Sequence, residues 1–94
     1  MLQHNPPHPG GVIERVYLKP NNLSSNEVAA KLQVSSSTFY RLVKGKSGVS
    51  PVMALKLSRV LGRSPESWLA MQHNFDLWKI KAEIDFSSYT SIKF

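Results

Sequence analysis

The segment that most restricts the fold of this chain is residues 23–46, LSSNEVAAKLQVSSSTFYRLVKGK. A serine followed three positions later by a glutamate (Ser24, Glu27) forms the capping-box pattern that begins a helix, and apolar residues then recur at helical spacing. Ser35 is placed to cap a second helix, and Gly45 is a natural left-handed stop for it. The segment therefore predicts two short amphipathic helices joined by a tight turn.

The second of these helices has an apolar stripe and an opposite face that is polar and basic. The stripe is Phe39, Leu42 and Val43. A pair of helices of this kind can insert one row of side chains into the major groove of DNA, led by the N-terminal part of the second helix. Arginine there can bond guanine bidentately, whereas serine is a less selective reader. The candidates for base contacts are Ser36, Ser37 and Arg41.

Residues beside this face are candidates for contacts to the DNA backbone. The first turn of a helix offers free backbone N–H groups to an anion, and polar and basic side chains bind phosphate oxygens. The predicted backbone contacts are Ser25, Asn26, Tyr40, Lys44, Lys46 and Ser47. The alternative interpretation is that Tyr40 and Arg41 face solvent without a partner.

Three further helices are predicted around this pair, which makes the chain an all-α domain of five helices. Pro9 can occupy a first helical position, and the turn at residues 20–22 ends that helix. Two serine–proline pairs, at positions 50–51 and 64–65, are typical cap-and-first-turn patterns and begin the fourth and fifth helices. The fourth helix ends at Gly62 and is expected to bury Met53, Leu57, Val60 and Leu61.

The length of 94 residues suits one domain with a single modest core. Residues 1–8 are polar and proline-rich, which predicts a flexible N-terminal arm. The helix-turn-helix domain is expected at 9–82, with its recognition helix at about 36–44, and a C-terminal tail at 83–94.

The positive charge is concentrated in the middle of the chain. Between Glu27 and Glu66 there is no acidic residue, while seven lysines and arginines fall there. The flanking segments are nearly balanced, so the net charge of +6 arises from this block. A one-signed block favours a polyanionic partner such as nucleic acid, and the alternative is a solvated basic face.

Other classes of function find little support in the composition. Without cysteine, disulfides and thiolate chemistry are excluded, and a reducing, cytoplasmic location is expected. No apolar run approaches the roughly 18 residues of a membrane span. His4, His8 and His73 lack metal-ligand spacing and are expected to be solvated. No catalytic constellation accompanies the acidic residues near position 80, so we expect no enzymatic activity, metal or cofactor.

The fifth helix carries more large apolar side chains than a peripheral helix of a small domain needs. One recognition helix reads only a few base pairs, so a two-fold dimer is the usual remedy. The predicted dimer surface is Trp68, Met71, Phe75 and Trp78.

The chain resembles the HigA family of addiction-module antitoxins, within the lambda-repressor-like helix-turn-helix class. The resemblance rests on HPGG at 8–11, on residues 23–46, and above all on SPxxWLxxQ at 64–72 followed by DLWK at 76–79. It covers about three-quarters of the chain. One departure lies in the turn between the two helices, where glycine is common and this chain has Gln33.

The resemblance implies a five-helix DNA-binding domain with a short C-terminal extension. It also implies a bacterial homodimer that binds operator DNA, represses its own operon and neutralises a HigB-type mRNA-cleaving toxin. A stand-alone transcriptional regulator without a toxin would have the same DNA-reading residues. A third possibility is an adaptor whose basic surface binds an acidic protein.

Overall fold

A computed structural model of the protein describes residues 5–94. The first helix, α1, combines an α-helical turn at Pro9–Val12 with a π-helical continuation at Ile13–Leu18. The remaining helices are α2 (Ser25–Leu32), α3 (Ser36–Val43), α4 (Pro51–Val60) and α5 (Pro65–Glu83). Five helices, with no strand among the described residues, confirm the all-α prediction.

Side-chain caps begin four of the helices at the predicted serines. Ser24, Ser35, Ser50 and Ser64 each accept a hydrogen bond from the backbone N–H three positions on, at 3.0–3.1 Å between nitrogen and Oγ. At α2 the capping box is complete, since Glu27 accepts in return from the Ser24 backbone N–H at 3.1 Å. These local bonds satisfy N–H groups that a helix leaves unpaired in its first turn.

The start of α1 departs from the prediction that His8 is solvated. Its imidazole Nδ1 accepts a hydrogen bond from the Gly10 N–H at 2.9 Å, and His8 is thereby the N-cap of α1. Pro6 is buried and His8 is half-buried, so this part of the predicted arm packs against the domain. Residues 1–4, including His4, lie outside the described residues, and the division into arm, domain and tail stays a prediction.

The second half of α1 is wound more loosely than an α-helix. The Lys19 N–H donates to the carbonyl of Glu14, five residues back, at 3.0 Å. The Leu23 N–H likewise donates to the carbonyl of Leu18, also five residues back, at 2.9 Å. The residue pattern contains no signal for this π-type geometry, which is rare in proteins.

The core lies where all five helices meet, and α2 contributes Val28, Ala29 and Leu32 to it. The predicted stripe of α3 is confirmed, because Phe39 and Leu42 are almost fully buried and Val43 is buried beside them. The prediction for α4 was wrong in part: Leu57 is buried, but the second buried residue of this helix is Ala54. Met53, Val60 and Leu61 are only partly buried against the core.

The N-terminus of α1 approaches the end of α3 so closely that only glycine fits at position 10. A Cβ atom at Gly10 would overlap the carbonyl oxygen of Leu42 and lie 2.8 Å from that of Val43. At Gly11 the contact would be with the flexible Arg15 side chain, at 2.8 Å from Nη1. The two adjacent glycines therefore have different roles.

We predict that Gly10→Ala destabilises the fold by about 3 kcal/mol or more, because the added methyl group must displace backbone rather than a side chain. Gly11→Ala is the matched control. It should change the free energy of unfolding little, since Arg15 can move away. Urea denaturation of both variants measures the difference, and equal losses would contradict the close backbone contact at Gly10.

Candidate nucleic-acid interface

The turn that joins α2 to α3 uses a left-handed residue at the position where Gln33 replaces the common glycine. Gln33 has φ 58° and ψ 45°, and its backbone N–H reaches the carbonyl of Ala30 at 3.1 Å. A non-glycine residue in this region is uncommon and strained by roughly 1 kcal/mol. The turn therefore keeps the geometry of a helix-turn-helix despite the lack of glycine.

The outward face of α3 presents the three predicted base-reading side chains to solvent. Ser36, Ser37 and Arg41 are all exposed. Arg41 has no hydrogen bond or ion pair with the residues that the structure describes, whereas the Ser37 hydroxyl lies 3.3 Å from the cap hydroxyl of Ser35. Arg41 and Ser36 are thus free to meet a ligand, and Ser37 is partly engaged by the cap.

Lys44 is held in place by two weak contacts. Its Nζ lies 3.9 Å from Oε2 of Glu14 on α1 and 5.4 Å from the centroid of the Tyr40 ring. Both partners of the ion pair are partly exposed, so the pair contributes little stability. A phosphate with its full negative charge can replace Glu14 as the partner of Lys44.

The N-terminus of α2 borders a cleft between the first three helices. The cleft has a volume of about 380 Å³, and its rim includes Lys19, Asn22 and Lys44. Ser25 also lines it, and its buried hydroxyl has no hydrogen-bond partner among residues 5–94. Asn26, the next predicted backbone contact, is exposed. Two lysines, one of them paired with Glu14 on the same rim, and an unpaired hydroxyl therefore gather where the α2 N-terminus leaves backbone N–H groups free.

The loop after α3 carries Lys46 and Ser47 and is tied to α5 by Gln72. The buried Val49 N–H donates to Oε1 of Gln72 at 2.9 Å, and Nε2 of Gln72 donates to Asp76 at 2.9 Å. Gln72 is buried despite its polarity. The sequence marked it only as part of the family resemblance, because a pairing across 23 positions has no local signal.

His8 supports the same loop from the other side. Its ring packs edge-to-face on Phe75 of α5, with centroids 4.9 Å apart, and lies about 3.7 Å from where a Cβ of Gly45 would stand. Burial lowers the pKa of His8 from its ordinary value of 6.5, while Asp76 and a hydrogen bond to the Ser47 backbone act in the opposite direction. The neutral imidazole is the form that caps α1, since its Nδ1 must accept the Gly10 proton.

The basic block of the sequence does not form one surface. Arg41, Lys44 and Lys46 lie on α3 and the loop after it. Arg63 is engaged elsewhere, with its Nε donating to the Tyr17 hydroxyl at 2.9 Å and its guanidinium 5.6 Å from the Trp68 ring centroid. The other three basic side chains line a separate groove between α2 and α4, and they are Lys31, Lys56 and Arg59.

The predicted dimer surface needs a correction at Trp68. This side chain is fully buried in the core, and its indole Nε1 donates to the Gly62 carbonyl at 2.9 Å. Met71, Phe75 and Trp78 are half-buried. The apolar side chains that α5 exposes are instead Leu77 and Ile80, and the exposed Ile84 follows directly after the helix. Periodicity alone did not separate these inward and outward residues.

Residues 5–94 contain no cluster of three or more histidine, cysteine or acidic side chains that could hold a metal ion. None of the helices in this range is both long enough and apolar enough to span a membrane.

We predict that the folded state loses stability as the pH falls below about 6.5, because unfolding frees His8 to take up a proton. Above that pH the contribution is constant, and below the lowered pKa of the folded state the loss is complete. His8→Asn keeps an N-cap acceptor but cannot titrate, so its free energy of unfolding should fall less between about pH 7 and pH 5. Exposed His73→Asn is the matched control, and urea denaturation across this range is the measurement. An unchanged pH dependence in His8→Asn would contradict the assignment.

Comparison with known proteins agrees with this geometry. Residues 15–68 match the family model described as helix-turn-helix. An uncharacterized HTH-type transcriptional regulator of Escherichia coli, YddM, is 38% identical over 93% of this chain and 92% of its own length. The antitoxin GraA has the same fold with a TM-score of 0.89 at 30% identity, covering 96% of this chain and all of that one.

The Pseudomonas aeruginosa antitoxin HigA, solved with the higBA promoter, superimposes with a TM-score of 0.79 at 29% identity, covering 83% of this chain and 85% of that one. These similarities confirm the resemblance that the segment 64–79 suggested. The chain belongs to the helix-turn-helix family, and its relatives include antitoxins of the HigA type.

Proposed function

We propose that this chain is the antitoxin of a toxin–antitoxin module, a dimer that represses its own operon and neutralises a HigB-type mRNA-cleaving toxin by direct binding. The observation that carries the DNA-binding part is the exposed, unpartnered Arg41 on α3, held by a left-handed turn at Gln33. The similarity to antitoxins GraA and HigA, the latter solved with a promoter, supports the rest.

Base reading is assigned to the exposed face of α3, with Ser36 and Ser37 in its first turn and Arg41 in its last turn. Arg41 is the residue best suited to discriminate a base, since a guanidinium can donate two parallel hydrogen bonds to guanine O6 and N7. Ser36 offers a less selective contact, as does Ser37, whose hydroxyl also lies 3.3 Å from that of Ser35. A face with one strong reader relies in addition on the shape of the operator.

Phosphate binding falls on the two ends of the helix-turn-helix. At one end, the unpaired Ser25 hydroxyl, Asn26 and the free N–H groups of α2 suit a phosphate oxygen. At the other end, Tyr40, Lys44, Lys46 and Ser47 suit the next stretch of backbone. Gln72 and His8 would keep this second group in place, because they hold the loop 45–49 against α5 and α1.

Dimer formation is assigned to the distal half of α5. Leu77, Ile80 and Ile84 expose 59%, 45% and 45% of their surface, at spacings of three and four. Such a stripe on a projecting helix suits the same stripe of a second copy, which would place two recognition helices on half-sites about one DNA turn apart. Leu77→Asp should give a monomer in sedimentation at micromolar concentration, and a wild-type monomer would refute the assignment.

The second candidate function is a stand-alone regulator without a toxin, which the E. coli relative described as a transcriptional regulator favours. The two functions are separated by the neighbouring gene. A small ribonuclease-like protein encoded beside this chain should arrest growth when expressed alone, and co-expression of this chain should restore growth and co-purify it. If co-expression neither restores growth nor yields the neighbouring protein in a complex with this chain, the stand-alone regulator is the remaining function.

We predict that Arg41→Ala lowers operator affinity by about 1–3 kcal/mol and relaxes sequence preference, because a bidentate base contact is lost. Lys46→Ala is the matched control, since loss of a phosphate contact should weaken all duplexes alike and lower the salt slope by about one unit. Fluorescence anisotropy with the operator and a scrambled duplex at several salt concentrations separates the two. Equal losses on every sequence for both variants would remove Arg41 as a reader.

A further inference from the structure

A groove between α2 and α4 combines exposed apolar side chains with unpaired positive charge. It encloses about 280 Å³, with Leu55 and Val60 on its apolar part and Lys31, Lys56 and Arg59 around it. Leu55 is 58% exposed. None of the three cations forms an ion pair within the described part of the chain. We refer to this surface as the α2–α4 groove.

The chemistry of the groove favours a peptide over a nucleic acid. Phosphate backbones need cations, but they gain nothing from exposed aliphatic side chains. Binding to DNA therefore does not explain why Leu55 is exposed, nor why the nearby Val52, on the first turn of α4, is 63% exposed. An occupant that suits both features has large apolar side chains interleaved with carboxylates.

The tail of this chain has that composition. Residues 83–94 read EIDFSSYTSIKF, with Glu83 and Asp85 on either side of an isoleucine. Phe86, Tyr89 and Ile92 expose 49%, 72% and 76% of their surface. Three of the other four acidic side chains of the chain are already engaged, since Glu14 pairs with Lys44, Glu27 closes the capping box of α2 and Asp76 accepts from Gln72.

The direction of α5 indicates that the occupant comes from a second copy. Gln72, near the middle of α5, accepts from Val49, which lies two residues before α4 begins, and α5 begins just after α4 ends. The two helices are therefore antiparallel, and the second half of α5 leads away from the groove. The elongated shape, 52 × 23 × 23 Å, agrees with a tail that projects from its own domain.

We propose that the α2–α4 groove binds the C-terminal tail of a second copy of this chain. The carboxylates of Glu83 and Asp85 lie against Lys56 and Arg59, and the aromatic side chains of the tail cover Leu55 and Val52. This contact does not depend on DNA binding or on a toxin, and it uses no residue of α3.

The test measures the loss of amide signals in an isotope-labelled copy when the tail of a second copy carries a paramagnetic label. Because the chain has no cysteine, Ser91→Cys provides a single site for a nitroxide. This full-length chain is mixed with ¹⁵N-labelled wild-type chain. We expect the amide signals of Leu55, Lys56 and Val60 to lose most of their intensity, while those of α3 keep theirs.

Charge reversal provides the control. The changes Glu83→Lys and Asp85→Lys in the nitroxide-labelled chain should raise the concentration needed for half-maximal signal loss by about tenfold. Lys56→Glu and Arg59→Glu in the ¹⁵N-labelled chain should then return this concentration towards the wild-type value, because the two reversed charges attract each other again.

Three outcomes would overturn the proposal. One is full intensity in the groove of the mixed sample, and another is signal loss only when both labels are on the same chain. The third is displacement of the groove signals by duplex DNA with no effect from the tail. Operator binding by the same samples is measured separately, so failure of tail docking and failure of the proposed DNA reading are distinguishable.

Discussion

The close packing of α1 against the end of α3 is the constraint that sets the position of the candidate nucleic-acid interface. The backbone of Gly10 lies on the carbonyl groups of Leu42 and Val43, two of the three residues that form the buried stripe of α3. A helix of eight residues is too short to be stable alone, so its orientation is set by what it packs against. The outward direction of Arg41 therefore follows from contacts on the opposite side of α3.

Two further residues, His8 and Gln72, link the end of α3 to the rest of the molecule. His8 caps α1 and packs against Phe75, and Gln72 binds the loop that follows α3. The loop is thus held from two directions by residues of α1 and α5. Any change in the position of α5, such as pairing with a second copy, reaches the loop through two contacts rather than through a flexible linker.

Local signals account for what the sequence predicted well. The capping serines, Gly45 and the left-handed Gln33 are determined by hydrogen bonds and backbone preferences within a few residues, and each was found where it was expected. Trp68, Gln72 and His8 were assigned less well because their environments depend on residues far away in the chain. Periodicity shows that a helix has an apolar face, but it does not show whether Trp68 points into the core or towards a second copy. The exposure of Arg41 agrees with the prediction, and its role in reading bases stays a prediction.

The division of the basic block shows why charge counted along a sequence is a poor guide to a binding surface. Seven cations without an intervening acid suggested one face, yet the fold directs them to α3, to the α2–α4 groove and to Trp68. Glu14 lies outside the block in sequence but beside Lys44 in space, and it offsets part of the positive charge at the end of α3. Because exposed ion pairs are weak, Glu14 opposes the binding of a polyanion only slightly, and it does so to a similar extent for every DNA sequence. In the proposed function, discrimination between sequences falls to Arg41, Ser36 and the shape of the DNA, while the net charge governs the affinity for duplexes in general.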